Sequence, residues 1–226
     1  ANTRHTISLH PMIQEIAFSE TRPSVKSCHT LLDSLQKICL MHGTEVSYYK
    51  KMFQTMENII HLIEKDDIPK YLLFLEDTFP YMEKYHYQKG MKEIIRELKH
   101  LLKGTNHGTA SDRALLLDYQ ATMETKSEKA IKLEKEALAQ IKEITKSNAH
   151  LVSNLHANLG GLYRMNGQTE LAKEHMEKGI LLLEQYKLLY TNDSIPQINN
   201  YAALLTEMQE SERAMSALQK LSLIHI

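Results

Sequence analysis

Apolar residues recur at three- and four-residue steps along most of the 226-residue chain, and short polar or glycine-containing breaks interrupt them at intervals. This pattern predicts amphipathic helices joined by tight turns. Ala130 in EKAIKLEKEAL, Ala172 in ELAKEH and Ala214 in ERAMSALQKL stand 42 residues apart and set the clearest register. Leu117, Leu159 and Tyr201 keep the same spacing, as do Asp118, Gly160 and Ala202, and Ala121, Tyr163 and Leu205. Each unit reads as two helices that turn at Glu124-Thr125, Asn166-Gly167 or Gln209-Glu210. TKSE at 125–128 and SIPQ at 194–197 carry the spacing of a capping box, in which two side chains satisfy two orphan backbone donors at a helix start. In NLHANLGGLYRMNGQTELAKEHM, residues 154–176, Gly160 and Ala172 are the expected contact between the two helices, because only Gly or Ala lets the backbones approach closely. A lone pair cannot bury its apolar face, so the units must stack. The predicted fold is all-α, a right-handed superhelical solenoid of stacked antiparallel helix pairs with an inner groove.

Upstream the periodicity continues while the register fades. SVKSCHTLLDSLQKICLMHG and TEVSYYKKMFQTMENIIHLIEK predict one hairpin that turns near Gly43. PKYLLFLEDTFPYMEKYHY and KGMKEIIRELKHLLK predict another that turns near Gln88 to Gly90, with a kink or early break at Pro80. Asp66 to Pro69 and Gly104 to Gly108 are the expected connecting loops. The domain reading is a remnant of a preceding segment over 1–20, degenerate helical hairpins over 21–109, and three repeats over 110–220, the last truncated. The opening on Ala1 and the apolar finish LSLIHI suggest a slice of a longer protein. LSLIHI, residues 221–226, also matches the translation of a common sequencing adapter, and is expected to be non-native.

Charge removes several function classes. With 27 Lys and Arg against 28 Asp and Glu, the net charge of −1 argues against a partner bound by phosphate neutralisation, so no nucleic acid is expected. Cys28 and Cys39 are the only cysteines, which suggests neither a disulfide scaffold nor a zinc ribbon but a reducing, cytoplasmic setting. Every long apolar run is broken by Glu, Lys or His, so no membrane association is expected. Glu83 with His86 and Glu97 with His100 have the Glu-x-x-His spacing of di-iron bundles, but further core-facing glutamates are lacking, and no metal is expected. No converging acid, base or nucleophile is visible, and Gly104 to Gly108 lacks the Lys and hydroxyl of a phosphate loop. The chain reads as non-enzymatic, with no cofactor of its own. The tyrosines and methionines fall at helical spacing and read as packing residues.

His156-x2-Leu159-Gly160-x2-Tyr163, followed by Ala172-x3-Met176, resembles the tetratricopeptide repeat signature, with His for the usual Trp and Met for Phe. At 42 residues each unit exceeds the usual ~34 and is similar to the long repeats of kinesin light chains. The resemblance implies that the first helix of each pair lines a concave groove that takes a protein or peptide. Asn158 and Asn200 would form an asparagine ladder that reads peptide main chain, an Asn amide offering both donor and acceptor. Leu116 stands at that position one repeat earlier. Arg164, Asn199 and Tyr119 would face the same side and read side chains or a carboxylate. TISLHPMIQEIA, residues 6–17, resembles the end of the winged-helix segment of bacterial NB-ARC/STAND-type signalling ATPases, with Pro11 in place of the acidic residue. This resemblance implies that His10 senses nucleotide, that the missing nucleotide-binding domain is a further partner, and that the repeats are its sensor or autoinhibitory region. The alternative is a free-standing scaffold or a peptide-pheromone-responsive regulator.

Overall fold

The structure is a computed structural model and describes residues 11–40, 46–103, 108–189, 191 and 194–222. The chain divides into two compact units, residues 1–101 and 102–226. Among the described residues the first unit holds α1 (Pro11–Thr21), α2 (His29–Leu40), α3 (Val46–Leu62), α4 (Ile68–Lys84) and α5 (Gln88–Leu102). The second holds α6 (Ala110–Thr122), α7 (Ser127–Gln140), α8 (Ala149–Met165), α9 (Thr169–Gln185), α10 (Ile195–Glu207) and α11 (Ser211–Ser222). The described residues form no β-sheet; one isolated parallel bridge joins Ser24 and Glu64.

In the first unit the apolar stripes close on a core that includes Leu32, Phe53, Met56, Tyr71, Phe74, Leu75, Phe79 and Ile94, all fully buried. The loop before α4 is held at several points. Val25 N donates to Glu64 O at 2.9 Å, Glu64 N to Pro23 O at 2.9 Å, and Lys26 N to Asp66 Oδ1 at 3.0 Å. Asp67 then caps α4 by accepting from Lys70 N, with Pro69 in the first turn where its missing N–H costs nothing. Pro80 does not break this helix, which continues to Lys84. Thr78, Phe79, Tyr81 and Met82 flank it and are all buried, so packing outweighs one lost backbone bond. The chain reverses at Tyr85 to Tyr87 instead, and Gln88 to Gly90 open α5. The turn expected near Gly43 lies outside the described residues, as do residues 104–107 of the next loop.

The second unit keeps the 42-residue register where its hairpins turn. The second helix of each pair begins at Ser127, Thr169 and Ser211, and Ala130, Ala172 and Ala214 are all buried. The third pair has both helices. Two of the hairpin turns and the exit from α9 share one device with the first unit's turn: the helix ends in a left-handed residue, and the next N–H reaches back five positions. These residues are His86, Gly167, Lys187 and Gln209, with φ of 56°, 73°, 59° and 64°. The returning bonds run from Tyr87 N to Met82 O, Gln168 N to Tyr163 O, Leu188 N to Leu183 O and Glu210 N to Leu205 O, at 2.7–2.9 Å. Only one of the four positions uses glycine.

Neither expected capping box forms. α7 starts at Ser127, and the Glu124 carboxylate accepts from Thr125 N and Lys126 N in place of a Thr125 cap. Ser194 turns its hydroxyl back to Thr191 O at 2.8 Å and to Leu189 O, which leaves Gln197 free for other partners. A capping box does open α6, where Thr109 and Asp112 satisfy each other's backbone N–H.

The adjacent glycines of α8 have opposite surroundings. A Cβ on Gly160 would lie 2.5 Å from Met176 Cγ and 3.0 Å from the Ala172 carbonyl oxygen, whereas one on Gly161 meets nothing within 4 Å. Gly160 therefore permits the close approach of α8 and α9 that Ala172 completes. Urea denaturation should separate the two positions: Gly160→Ala is expected to cost about 1–3 kcal/mol through overpacking, and Gly161→Ala to add about 0.5–1 kcal/mol through helix propensity.

Candidate functional site

The first helices of the three pairs, α6, α8 and α10, pack side by side. Their neighbouring faces carry polar side chains, and the structure shows what each touches. Asn158 Nδ2 donates to Asp118 Oδ1 at 2.8 Å, joining α8 to α6. Arg164 Nε donates to Glu207 Oε2 at 2.8 Å, and a second guanidinium nitrogen meets the other oxygen of that carboxylate, joining α8 to α10. The Gln197 amide nitrogen donates to Asn154 Oδ1, and its oxygen lies 2.6 Å from Ser153 Oγ, a fully buried hydroxyl that is also 2.9 Å from Gly179 O. These bonds link residues 40 to 44 positions apart, close to one repeat, so they act as struts between successive pairs.

This changes the reading of the expected groove residues. Asn158 and Arg164 lie on the first-helix side, but their polar groups are engaged by the neighbouring pair. Tyr119 is only 4% exposed, so its ring is part of the packing and does not face an open groove. Asn199 and Asn200 remain exposed on α10. The register explains the difference between the two ladder positions. Asn158 reaches back to Asp118, but the residue one repeat after Asp118 is Gly160, so Asn200 has no carboxylate at the matching place. His10 lies outside the described residues.

A buried acid pair lies beneath the Asn158 strut. Asp118 on α6 and Glu134 on α7 are 8% and 2% exposed and hydrogen-bonded to each other. Burial pushes both carboxyls above the usual carboxylate range, and for Glu134 the charge of Asp118 adds to it. In the 42-residue register these two positions correspond to Gly160 and Met176, the close apolar contact of the second pair. The signal was thus present in the sequence, as an Asp and a Glu standing where the next repeat has a small and a large apolar residue.

Other candidate groups are engaged or displaced. His156 Nδ1 lies 3.0 Å from His175 Nδ1, and burial, followed by the neighbouring His175, lowers the His156 pKa to about 4. A neutral imidazole pair sharing one N–H fits these contacts. The Cys39 thiol is pushed up to about 12, first by burial and then by Asp77, so it is not a thiolate nucleophile near neutrality. His86 sits in a left-handed turn after α4, so Glu83 and His86 do not share a helix face. Lys65 meets Glu97 at 2.9 Å. Among the described residues no three His, Cys, Asp or Glu side chains converge as a metal site, and no helix is long and apolar enough to cross a membrane. A cleft of about 280 Å³ between α9, α10 and α11 is lined in part by Glu177, Glu184, Tyr201, Arg213 and Lys220, but Arg213 pairs with Glu177 and Lys220 with Glu184, so its charges are already matched.

The helical fold has a counterpart among solved structures. A crystal structure of a Podosopora anserina kinesin light chain-type protein with nearly identical tetratricopeptide-like repeats is similar over 89% of this chain and 94% of that one, with a TM-score of 0.51 and 14% identity. The fold is a tetratricopeptide-like helical repeat. A crystal structure of MamA also aligns, over 81% of this chain and 96% of that one, with a TM-score of 0.46 and 14% identity. No family model matches the sequence, and no curated protein matches it.

The struts of this repeat differ in burial, and denaturation should reveal it. Arg164→Ala is expected to cost no more than about 1 kcal/mol, because the Arg164–Glu207 pair is solvated. Gln197→Ala is expected to cost about 1–3 kcal/mol, because it removes a partner of buried Ser153.

Proposed function

We propose that the chain is a non-enzymatic scaffold that binds an extended protein or peptide segment along the first helices of its second unit. The observation that carries this reading is the exposure of Asn199 and Asn200 on α10, beside a face where Asn154, Asn158, Arg164 and Gln197 are engaged in struts. Their amides offer the paired donor and acceptor that a peptide main chain requires. Arg164 contributes by setting the spacing of α8 and α10, and Asn158 by holding α8 to α6. The ladder is thereby reduced to its α10 rung. Tyr119 supports the face from within.

In its finer form the proposal makes these repeats the sensor or autoinhibitory region of a STAND-type signalling ATPase. The resemblance of residues 6–17 to the end of a winged-helix segment supports this, with His10 as the nucleotide-sensing residue and a nucleotide-binding domain as intramolecular partner. Ligand in the groove would then act by differential affinity for the open and closed arrangements of the two parts. The coding sequence upstream of Ala1 tests the finer form. A phosphate-binding loop there supports it, whereas a start codon or a helix-turn-helix supports the free-standing scaffold or pheromone-responsive regulator.

The groove itself is tested by selecting peptides on an array against the wild-type chain and titrating the best by fluorescence anisotropy. Asn199→Ala with Asn200→Ala is expected to weaken binding roughly tenfold or more, at about 1 kcal/mol per lost hydrogen bond, while stability stays within about 0.5 kcal/mol. Unchanged affinity would place recognition elsewhere on the scaffold.

A further inference from the structure

The junction of α6, α7 and α8 contains a chemical mismatch that its neighbours lack. In the second pair the corresponding positions are Gly160 and Met176, which meet without charge, and in the third they are the uncharged Ala202, buried, and Leu218, exposed. The first pair instead buries two carboxyl groups against each other. Two carboxylate anions can only accept hydrogen bonds, so as anions these two buried groups would repel, whereas a proton on one of them lets it donate to the other. Asn158 Nδ2 supplies one donor, to Asp118. The same amide also favours the Glu134 anion, but Glu134 Oε2 is buried with no hydrogen-bond partner, so one neutral amide is all that would offset two charges.

We infer that this junction is a proton-linked joint: the first helix pair stacks on the second while Asp118 and Glu134 share a proton, and it loosens when that proton is lost.

The groups that face the joint are few. Asp118 comes from α6, Glu134 from α7 and the neutral Asn158 amide from α8, and no lysine, arginine or histidine contributes to the electrostatics of either carboxyl. On α7 itself Lys132 and Lys135 are exposed, and Lys135 lies over the Tyr163 ring. No cation is therefore placed to hold both carboxylates once they ionise. Because the folded state keeps a proton that the unfolded chain releases in the ordinary carboxylate range, stability from this site is complete below that range and is lost as pH rises through the raised folded values. The struts between α8 and α10 contain no such pair, so the second and third pairs stay stacked while the first is released.

The test is amide hydrogen exchange on the whole chain at about pH 6 and about pH 9, corrected for intrinsic exchange rates. Wild type is expected to lose roughly tenfold or more protection across α6 and α7 at the higher pH, with α10 and α11 changing far less. Glu134→Gln keeps the shape, removes the titration and should abolish the difference. Equal protection of α6 and α7 at the two pH values in wild type would overturn the joint, as would the same loss in the Gln variant. Should Glu134→Gln not fold, Glu134→Gln combined with Asp118→Asn takes its place, since it removes both titrating groups and keeps their shapes. Infrared spectroscopy gives an independent readout: wild type near neutrality should show a protonated-carboxyl band that Glu134→Gln combined with Asp118→Asn removes, and its absence from wild type would also overturn the inference.

Discussion

The close approach of two helices within a pair is the constraint on which the second unit depends. At α8 and α9 it is made by Gly160 and Ala172, where an added methyl group would strike Met176 and a backbone carbonyl. That approach places Tyr163, Met176, Ile180 and Leu183 in one apolar cluster with Ile198, Tyr201, Ala202 and Leu205 of the next pair. Each pair therefore completes its core only when its neighbour arrives. The turns follow from the same demand. Where α4 and α10 reverse within about three residues the helix is followed by a left-handed residue, and the energetic cost of placing His86 or Gln209 there is offset by the packing that the reversal permits.

Apolar stacking alone would allow neighbouring pairs to slide. The polar struts oppose this, because a hydrogen bond between Asn158 and Asp118, or between Gln197 and Asn154, exists in only one register. Their weight differs with burial. The Arg164–Glu207 pair is solvated and adds little energy, whereas Ser153 and Gln197 are buried and must keep their partners. The same side of the molecule that is proposed to bind a segment is thus also the side where the repeats are aligned. A ligand there would meet a surface whose geometry is already fixed, which lowers the ordering cost of binding.

The acid pair shows how one repeat can depart from its siblings without losing the architecture. Replacing a small-and-large apolar contact by two carboxyls preserves volume well enough for Ala130 and Ala137 to stay buried. It exchanges an uncharged contact for one whose strength depends on a proton. The helix pair keeps its shape while its coupling to the next pair acquires a condition.

The sequence by itself determined the helical class and the 42-residue register, because helix periodicity and the need for small residues at close crossings act locally and repeat visibly at Ala130, Ala172 and Ala214. The hairpin turns at 124–125, 166–167 and 209–210 were legible for the same reason. The capping boxes and the break at Pro80 were not, since the actual partners of Ser194, Gln197 and the residues around Pro80 depend on what packs against them. Exposed polar residues on the first helices could be recognised, and Asn199 and Asn200 remain such residues. Only the tertiary structure decided that Asn158 and Arg164 are struts, that Tyr119 is buried, and that Asp118 meets Glu134. Those outcomes depend on distances between groups 16 to 43 residues apart, which a periodic pattern aligns but does not measure.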